Sequence, residues 1–160
     1  LLREAQFKAQ SIIPNSGMIS TNDLVEDYEK TNIHPKNKTD VGKRLAYLAL
    51  NQTYELKSIA AHGPEYKSME IRDGKIILSF SYAQDGFSRE NDIRGFEICG
   101  SDKIFIPASA KLDNNNLKII LSSDKIQNPI AARYCFRNFQ PGNLANTRGL
   151  PVVPFRTDNF

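Results

Sequence analysis

The sequence has no tryptophan and only two cysteines and two histidines in 160 residues. Two cysteines exclude a disulfide scaffold and a four-cysteine zinc site. His34 and His62 stand far apart with no paired cysteines, which gives no metal-ligand spacing, so neither a metal nor another cofactor is expected. Long apolar runs are missing too, and no transmembrane helix fits. The charge sum is 21 − 18 = +3, and the basic residues are scattered, with no block of five or more. That argues against a nucleic-acid arm and against a polybasic membrane anchor. None of the serines lies in a Gly-x-Ser-x-Gly string, and no Gly-Asp-Ser or Gly-Gln-Ser occurs.

What is present is ordinary for a folded chain. Hydrophobic residues make up 40% and charged residues 24%, close to the average of a soluble globular protein. The length suits one domain, or one small domain plus a piece of another. The chain opens Leu1-Leu2-Arg3-Glu4, with no Met and no signal peptide. It is therefore expected to begin inside a longer reading frame.

The texture changes near residue 57. Residues 1–10 are rich in helix formers, and Pro14-Asn15-Ser16-Gly17 is a loop signal. Gly17-Met18-Ile19-Ser20-Thr21 is a short strand candidate. Lys36 to Tyr54 reads as a long helix, with Val41, Leu45, Leu48 and Gln52 near one stripe that Ala46, Ala49 and Leu50 widen. Pro35 stands where a first-turn proline belongs. A single strand and one helix stripe bury too little alone, so residues 1–56 are expected to need a sheet from elsewhere.

Beyond residue 57 the pattern is β. Met69–Arg72, the turn Asp73-Gly74 and Lys75–Tyr82 read as a hairpin. In its second strand Ile76, Leu78, Phe80 and Tyr82 share one face. Phe96/Ile98, Ile104/Ile106, Leu117/Ile119/Leu121 and Ile130/Ala132/Tyr134/Phe136 alternate in turn. About six short strands separated by turn signals predict an antiparallel β-sandwich rather than βαβ units. From Pro141 onward an ordered tail without regular structure is expected.

One string carries chemical promise by position. In Thr31-Asn32-Ile33-His34-Pro35, His34 falls at a loop-to-helix junction, preceded by Asp23, Glu26, Asp27 and Glu29. A histidine at a helix entrance with an acid before it suits a general base, because the acid fixes the tautomer and stabilises the imidazolium. The same pattern also fits an exposed histidine beside a solvated acidic loop.

Several segments resemble the C-terminal half of the sialate O-acetylesterase family of SGNH hydrolases. They are Leu2–Gln6, Gly17–Asp23, Ile33-His34-Pro35-Lys36-Asn37-Lys38 running into Val41–Ala46, Ser68-Met69-Glu70, Gly95–Ile98, Gly142-Asn143-Leu144, and Gly149–Asp158, which holds Pro154-Phe155-Arg156-Thr157-Asp158. They occur in order along the whole chain. The resemblance implies an α/β-plus-all-β architecture. Residues 1–56 would be the C-terminal portion of an SGNH-type hydrolase domain, and residues 57–160 an accessory β-sandwich with a Pro/Gly-rich tail. It implies a serine, carried by an upstream N-terminal part of the same protein, that attacks the acetyl carbonyl of an acetylated carbohydrate. His34 matches the family's late histidine. The family usually carries Asp three residues before it, where this chain has Thr31. Glu29 and then Asp23 are the candidates for the supporting acid, with Asp27 or a backbone carbonyl as alternatives. The chain as given would supply the histidine and not the nucleophile, and would be inactive alone. Ser16 suits a turn better than a nucleophile. An exported protein (periplasmic, secreted or lysosomal) is implied as well. The other functional class the sequence allows is a carbohydrate-binding or structural sandwich without chemistry.

The remaining candidates read as structural. His62, in Ala60-Ala61-His62-Gly63-Pro64, is expected to be a surface loop residue, and Cys99 and Cys135 to be small buried strand residues, or a disulfide pair if the protein is exported. Arg156 and Asp158 are expected in a tail strapped to the sandwich, with Phe155 and Phe160 buried and Arg156 paired to a carboxylate, or else in a tail that folds back to the hydrolase domain and borders the substrate pocket. Tyr82, Phe87, Tyr134 and Phe136 sit at core spacing, although aromatics of this kind also stack on sugars.

Overall fold

Asp73 and Gly74 take φ of 50° and 70°, the double left-handed turn whose twist matches two antiparallel strands. The computed structural model that shows this hairpin describes every residue except Ile33, Pro35 and Arg89. The hairpin joins β1 (Glu65–Arg72) to β2 (Lys75–Ser81). Six further strands follow: β3 (Phe96–Cys99), β4 (Ile106–Pro107), β5 (Ser109–Leu112), β6 (Lys118–Ser122), β7 (Ala131–Tyr134) and β8 (Phe155–Arg156). They form two antiparallel four-stranded sheets, ordered β1-β2-β6-β5 and β4-β3-β7-β8.

Register decides what the sheets bury. Ile76 faces Leu121 and Leu78 faces Ile119 across β2 and β6, and all four side chains are fully buried. In the second sheet Phe96 pairs with Tyr134 and Ile98 with Ala132. These residues, with Phe87, Leu144, Val152 and Phe155, form one core shared by both sheets. Tyr66 stacks on Phe155 at 4.9 Å between ring centres, and Phe80 meets Phe87 edge-on at 5.4 Å. The buried Tyr134 hydroxyl accepts the Leu144 N–H at 3.2 Å, which satisfies its polar end inside the core. Gly142 lies so close that a methyl there would drive into the Tyr134 hydroxyl and Cys135 Sγ. Gly142→Ala is expected to destabilise the chain by about 1–3 kcal/mol through overpacking, read as a lower denaturation midpoint. An unchanged midpoint would show that the loop gives way at little cost.

Residues 1–56 behave differently. They contain α1 (Leu2–Ala9), a 3-10 turn (Asp27–Thr31) and α2 (Lys38–Gln52). Among the described residues here, Leu48 is the only buried apolar side chain, while Leu2, Ile12, Ile13, Tyr28, Leu45 and Tyr54 stand exposed. α1 buries no residue and is tied to the second sheet by polar contacts. Arg3 donates to the carbonyls of Cys135 and Arg137, and Arg156 donates to Glu4 at 3.2 Å. α2 begins at Lys38 because Asn37 caps it, its Oδ1 accepting the Asp40 N–H. The first-turn role expected for Pro35 lies outside the described residues.

Several expectations need correction. Residues 17–21 pair with no strand among the described residues. They run instead along a cleft of about 570 Å³ bordered by Arg3, Gln6, Asn22 and Gln140, and a strand without a neighbour forms no ladder. The tail does hold regular structure, since β8 pairs with β7 through Arg133–Arg156 and Tyr134–Phe155. Phe155 is buried as expected, but Phe160 is exposed. Asp158 holds Arg133 by two hydrogen bonds of 2.8 and 2.9 Å. Leu117, Ile104 and Ile130 fall at strand margins and are exposed. Cys99 and Cys135 are both free and buried, and burial pushes the Cys135 thiol up to about 11. His62 is half-buried, its ring stacked on Tyr82 at 4.6 Å. No described helix is long and apolar enough to cross a membrane.

Candidate active site

The loop that carries His34 is built by one carboxylate. Glu29 sits in the 3-10 turn and is 4% exposed. Its Oε2 accepts the Glu26 N–H at 2.8 Å and its Oε1 accepts the Lys36 N–H at 2.6 Å. A single side chain therefore clamps both ends of the 26–36 loop, satisfying two backbone donors that the loop would otherwise leave open. The Asn32 side chain accepts the His34 N–H at 2.9 Å, a local Asx turn that sets the backbone just before the histidine. The Asn37 cap then starts α2 three residues after His34. The His34 side chain is exposed at this junction.

The backbone donors, Glu26 first and Lys36 second, hold the Glu29 carboxyl below its ordinary value of 4.5. A lowered folded value means that the clamp stabilises the loop fully above the unfolded carboxyl range. That stabilisation is lost as pH falls through the folded value. In an NMR titration the Glu26 and Lys36 amides are expected to shift together with a midpoint under 4.5. A midpoint at or above that value would contradict the clamp.

Asp23 has a different partner. Both its oxygens accept from Arg44, with Nη1 to Oδ1 at 2.7 Å, and Arg44 also donates to the Ser20 carbonyl at 2.7 Å. Arg44 is 7% exposed, so this ion pair pins the 20–23 segment onto α2. Gly17 makes the close approach possible, since a Cβ there would strike the Leu48 side chain. Among the described residues, no hydrogen bond or ion pair joins the His34 ring to Glu29, Asp23 or Asp27. The structure thus brings Glu29 into the same loop as His34 and gives Asp23 to Arg44. Asn32, Asn37 and Arg44 were not singled out from the sequence. The Asn37-x-x-Asp40 spacing was a readable capping signal. Arg44 lies in the family-like segment Val41–Ala46 but was given no role, because an arginine beside an apolar stripe reads as solvated.

No family model matches the chain. A solved carbohydrate acetylesterase from Xanthomonas citri superposes with a TM-score of 0.87 at 34% identity, covering 99% of this chain and 36% of that one. The architecture is that found within a carbohydrate acetylesterase. The sialate O-acetylesterase of Mus musculus is 27% identical over 152 residues, covering 89% of this chain and 28% of that protein. The resemblance to the sialate O-acetylesterase family, drawn above from the motifs, is thereby shown. The chain spans about a third or less of the length of these two relatives.

Proposed function

We propose that this chain is part of a carbohydrate O-acetylesterase, supplying the general base His34 to a serine nucleophile carried by an upstream part of the same protein. The observation that carries the reading is the loop of residues 26–36. It presents an exposed histidine at a helix entrance, in the string that resembles the family, and it is held by a buried carboxylate. Residues 1–56 are read as the last part of an SGNH-type hydrolase domain and residues 57–160 as its accessory β-sandwich. The exposed apolar side chains of residues 1–56 and the segment 17–21, unpaired among the described residues, support that division, because both are surfaces a further sheet would cover. Export to the periplasm, the lysosome or the medium goes with the family reading.

The chemistry follows from these parts. The serine oxygen attacks the acetyl carbonyl carbon while His34 takes the hydroxyl proton. As the tetrahedral intermediate collapses, the bond to the sugar oxygen breaks. His34 returns the proton to that oxygen and the acetyl group stays on the serine. Water then attacks the acetyl-enzyme with His34 as base again, releasing acetate and regenerating the serine. Glu29 acts by positioning, since its oxygens are spent on backbone N–H groups and it orients the loop rather than the imidazole itself.

The test is hydrolysis of p-nitrophenyl acetate by the 160-residue chain and by the full-length protein. The chain alone is expected to stay at the buffer rate and the full-length protein to turn over. Equal rates from both would place the nucleophile inside residues 1–160 and overturn the division of labour. Inactivity of the full-length protein on acetyl esters would favour a non-catalytic sandwich module.

A further inference from the structure

Before it enters α2, the chain runs past that helix in the opposite sense. Gly17 lies against Leu48 and Gln52. Ser20 and Asp23 are bound by Arg44, about one turn nearer the start of the helix. Residues 17–23 therefore descend toward the N-terminus of α2. There the 24–36 loop leaves them and returns through Asn37 into the same helix. One end of the loop is fixed to α2 covalently, and the other is fixed by the Arg44 side chain.

That side chain acts as a fork. Its Nη1 donates to Asp23 Oδ1 and to the Ser20 carbonyl, each at 2.7 Å, and its Nη2 donates to Asp23 Oδ2 at 2.5 Å. The arginine side chain is 9% exposed and the aspartate 22%. Residues of the sandwich close over it, since Arg44, Ser20, Gly63, Glu65 and Pro151 border a gap of only about 20 Å³, roughly the room of one water. Asp40, the one acid of α2, is held by Asn37 and Lys43 and does not take the guanidinium. A buried ion pair is a poor source of stability, because apolar side chains of similar volume hold a fold as well or better. What two parallel N–H···O bonds add is geometry, since they admit one register of donor and acceptor. The register set here is that of the segment from which the His34 loop springs. The Glu29 clamp shapes the loop from within, without fixing where its first residues stand on α2.

We infer that Arg44 is a positioning residue for His34, holding the entrance of the 24–36 loop on α2 through Asp23 so that the imidazole meets the serine. The inference deepens the reading of His34 as general base and rests on it. Arg44 acts through Asp23 and the loop, not on the substrate.

The experiment compares the full-length parent, Arg44→Lys, the double variant Arg44→Met with Asp23→Leu, and His34→Ala. Hydrolysis of p-nitrophenyl acetate is measured per folded molecule, and hydrogen exchange is followed across residues 24–36. Lysine keeps the charge but cannot fork. The double variant replaces the pair by apolar side chains of similar size, so it is expected to melt with the parent. A misplacement of 1 Å costs on the order of 10²-fold, and a smaller displacement of the base is expected to cost roughly tenfold in kcat in both variants. KM is expected to stay unchanged and exchange across 24–36 to quicken. A lower kcat at the parent's melting temperature is what a merely stabilising role would not produce. Arg44→Lys carries the same readouts should the double variant fail to fold. The inference is overturned if Arg44→Lys or the folded double variant keeps the parent kcat, or if kcat falls while the loop exchanges at the parent rate. A far larger loss in the double variant than in Arg44→Lys would make Asp23 the acid of the histidine and overturn it too. His34→Ala separates the two readings. Full activity there removes the base, whereas a collapsed His34→Ala beside fully active Arg44 variants removes only the role of Arg44.

Discussion

His34→Ala in the full-length protein is expected to lower kcat on acetyl esters by about three orders of magnitude. In the proposed mechanism the variant removes the group that takes the serine proton and later returns it to the leaving oxygen. A positioned acid–base group contributes on the order of 10²–10⁴-fold, and removal of a member of a serine–histidine pair falls at the upper end. A thousandfold loss corresponds to about 4 kcal/mol of transition-state stabilisation. The fold should hardly notice. The His34 side chain is exposed, and the loop is closed by Glu29 and Asn32 through backbone groups that the substitution leaves in place. The expected signature is therefore a collapsed kcat at an unchanged melting temperature. A variant that keeps most of its activity would remove His34 from the mechanism.

Glu29→Gln is the second large effect. The amide keeps one acceptor oxygen but sets an NH₂ group against the other backbone N–H, so one end of the clamp becomes donor against donor. Whichever end is lost, the 26–36 loop is released and His34 leaves its position. A misplacement of about 1 Å is enough to cost on the order of 10²-fold in rate, and a loss of tenfold to a hundredfold in kcat is expected. A positioning defect differs from simple unfolding in one readout. Titration with a serine-directed fluorophosphonate should still count a full complement of sites, each reacting slowly, with KM for the ester unchanged. Retention of full kcat in Glu29→Gln would mean that the loop holds its shape without the carboxylate.

Much of the architecture was legible because local chemistry and long-range packing agree. The Asp73-Gly74 turn demands left-handed backbone and sits between alternating apolar residues, so the β1–β2 hairpin could be placed from the sequence. β3, β6 and β7 carry large apolar residues at period two and were found. β5 and β8 were not. Ser109-Ala110-Lys111-Leu112 offers one large apolar residue, and Phe155-Arg156 lies in a proline-rich run. Both are edge strands, ordered by the neighbour they bond to rather than by their own pattern. The segment 17–21 shows the converse, a strand-like composition without a partner among the described residues.

The site was legible in part for the same reason. His34 could be singled out as a candidate from its junction and from the string around it. The work done by Glu29 depends on a hydrogen bond to Lys36, seven residues away, and loop closure of that kind leaves no periodic trace. Asp23 stood second to Glu29 in the sequence, and nothing there showed that Arg44 would take both of its oxygens. The partner of a carboxylate is set by tertiary contact, and composition cannot rank acids that lie six residues apart.

The central claim is that these 160 residues bring the base and not the nucleophile. Its most direct test is peptide mapping of the full-length protein after reaction with a serine-directed fluorophosphonate during ester turnover. The account predicts a single modified serine outside residues 1–160, labelled far more slowly in His34→Ala. A label on a serine within residues 1–160, or continued hydrolysis with no serine labelled, would contradict it.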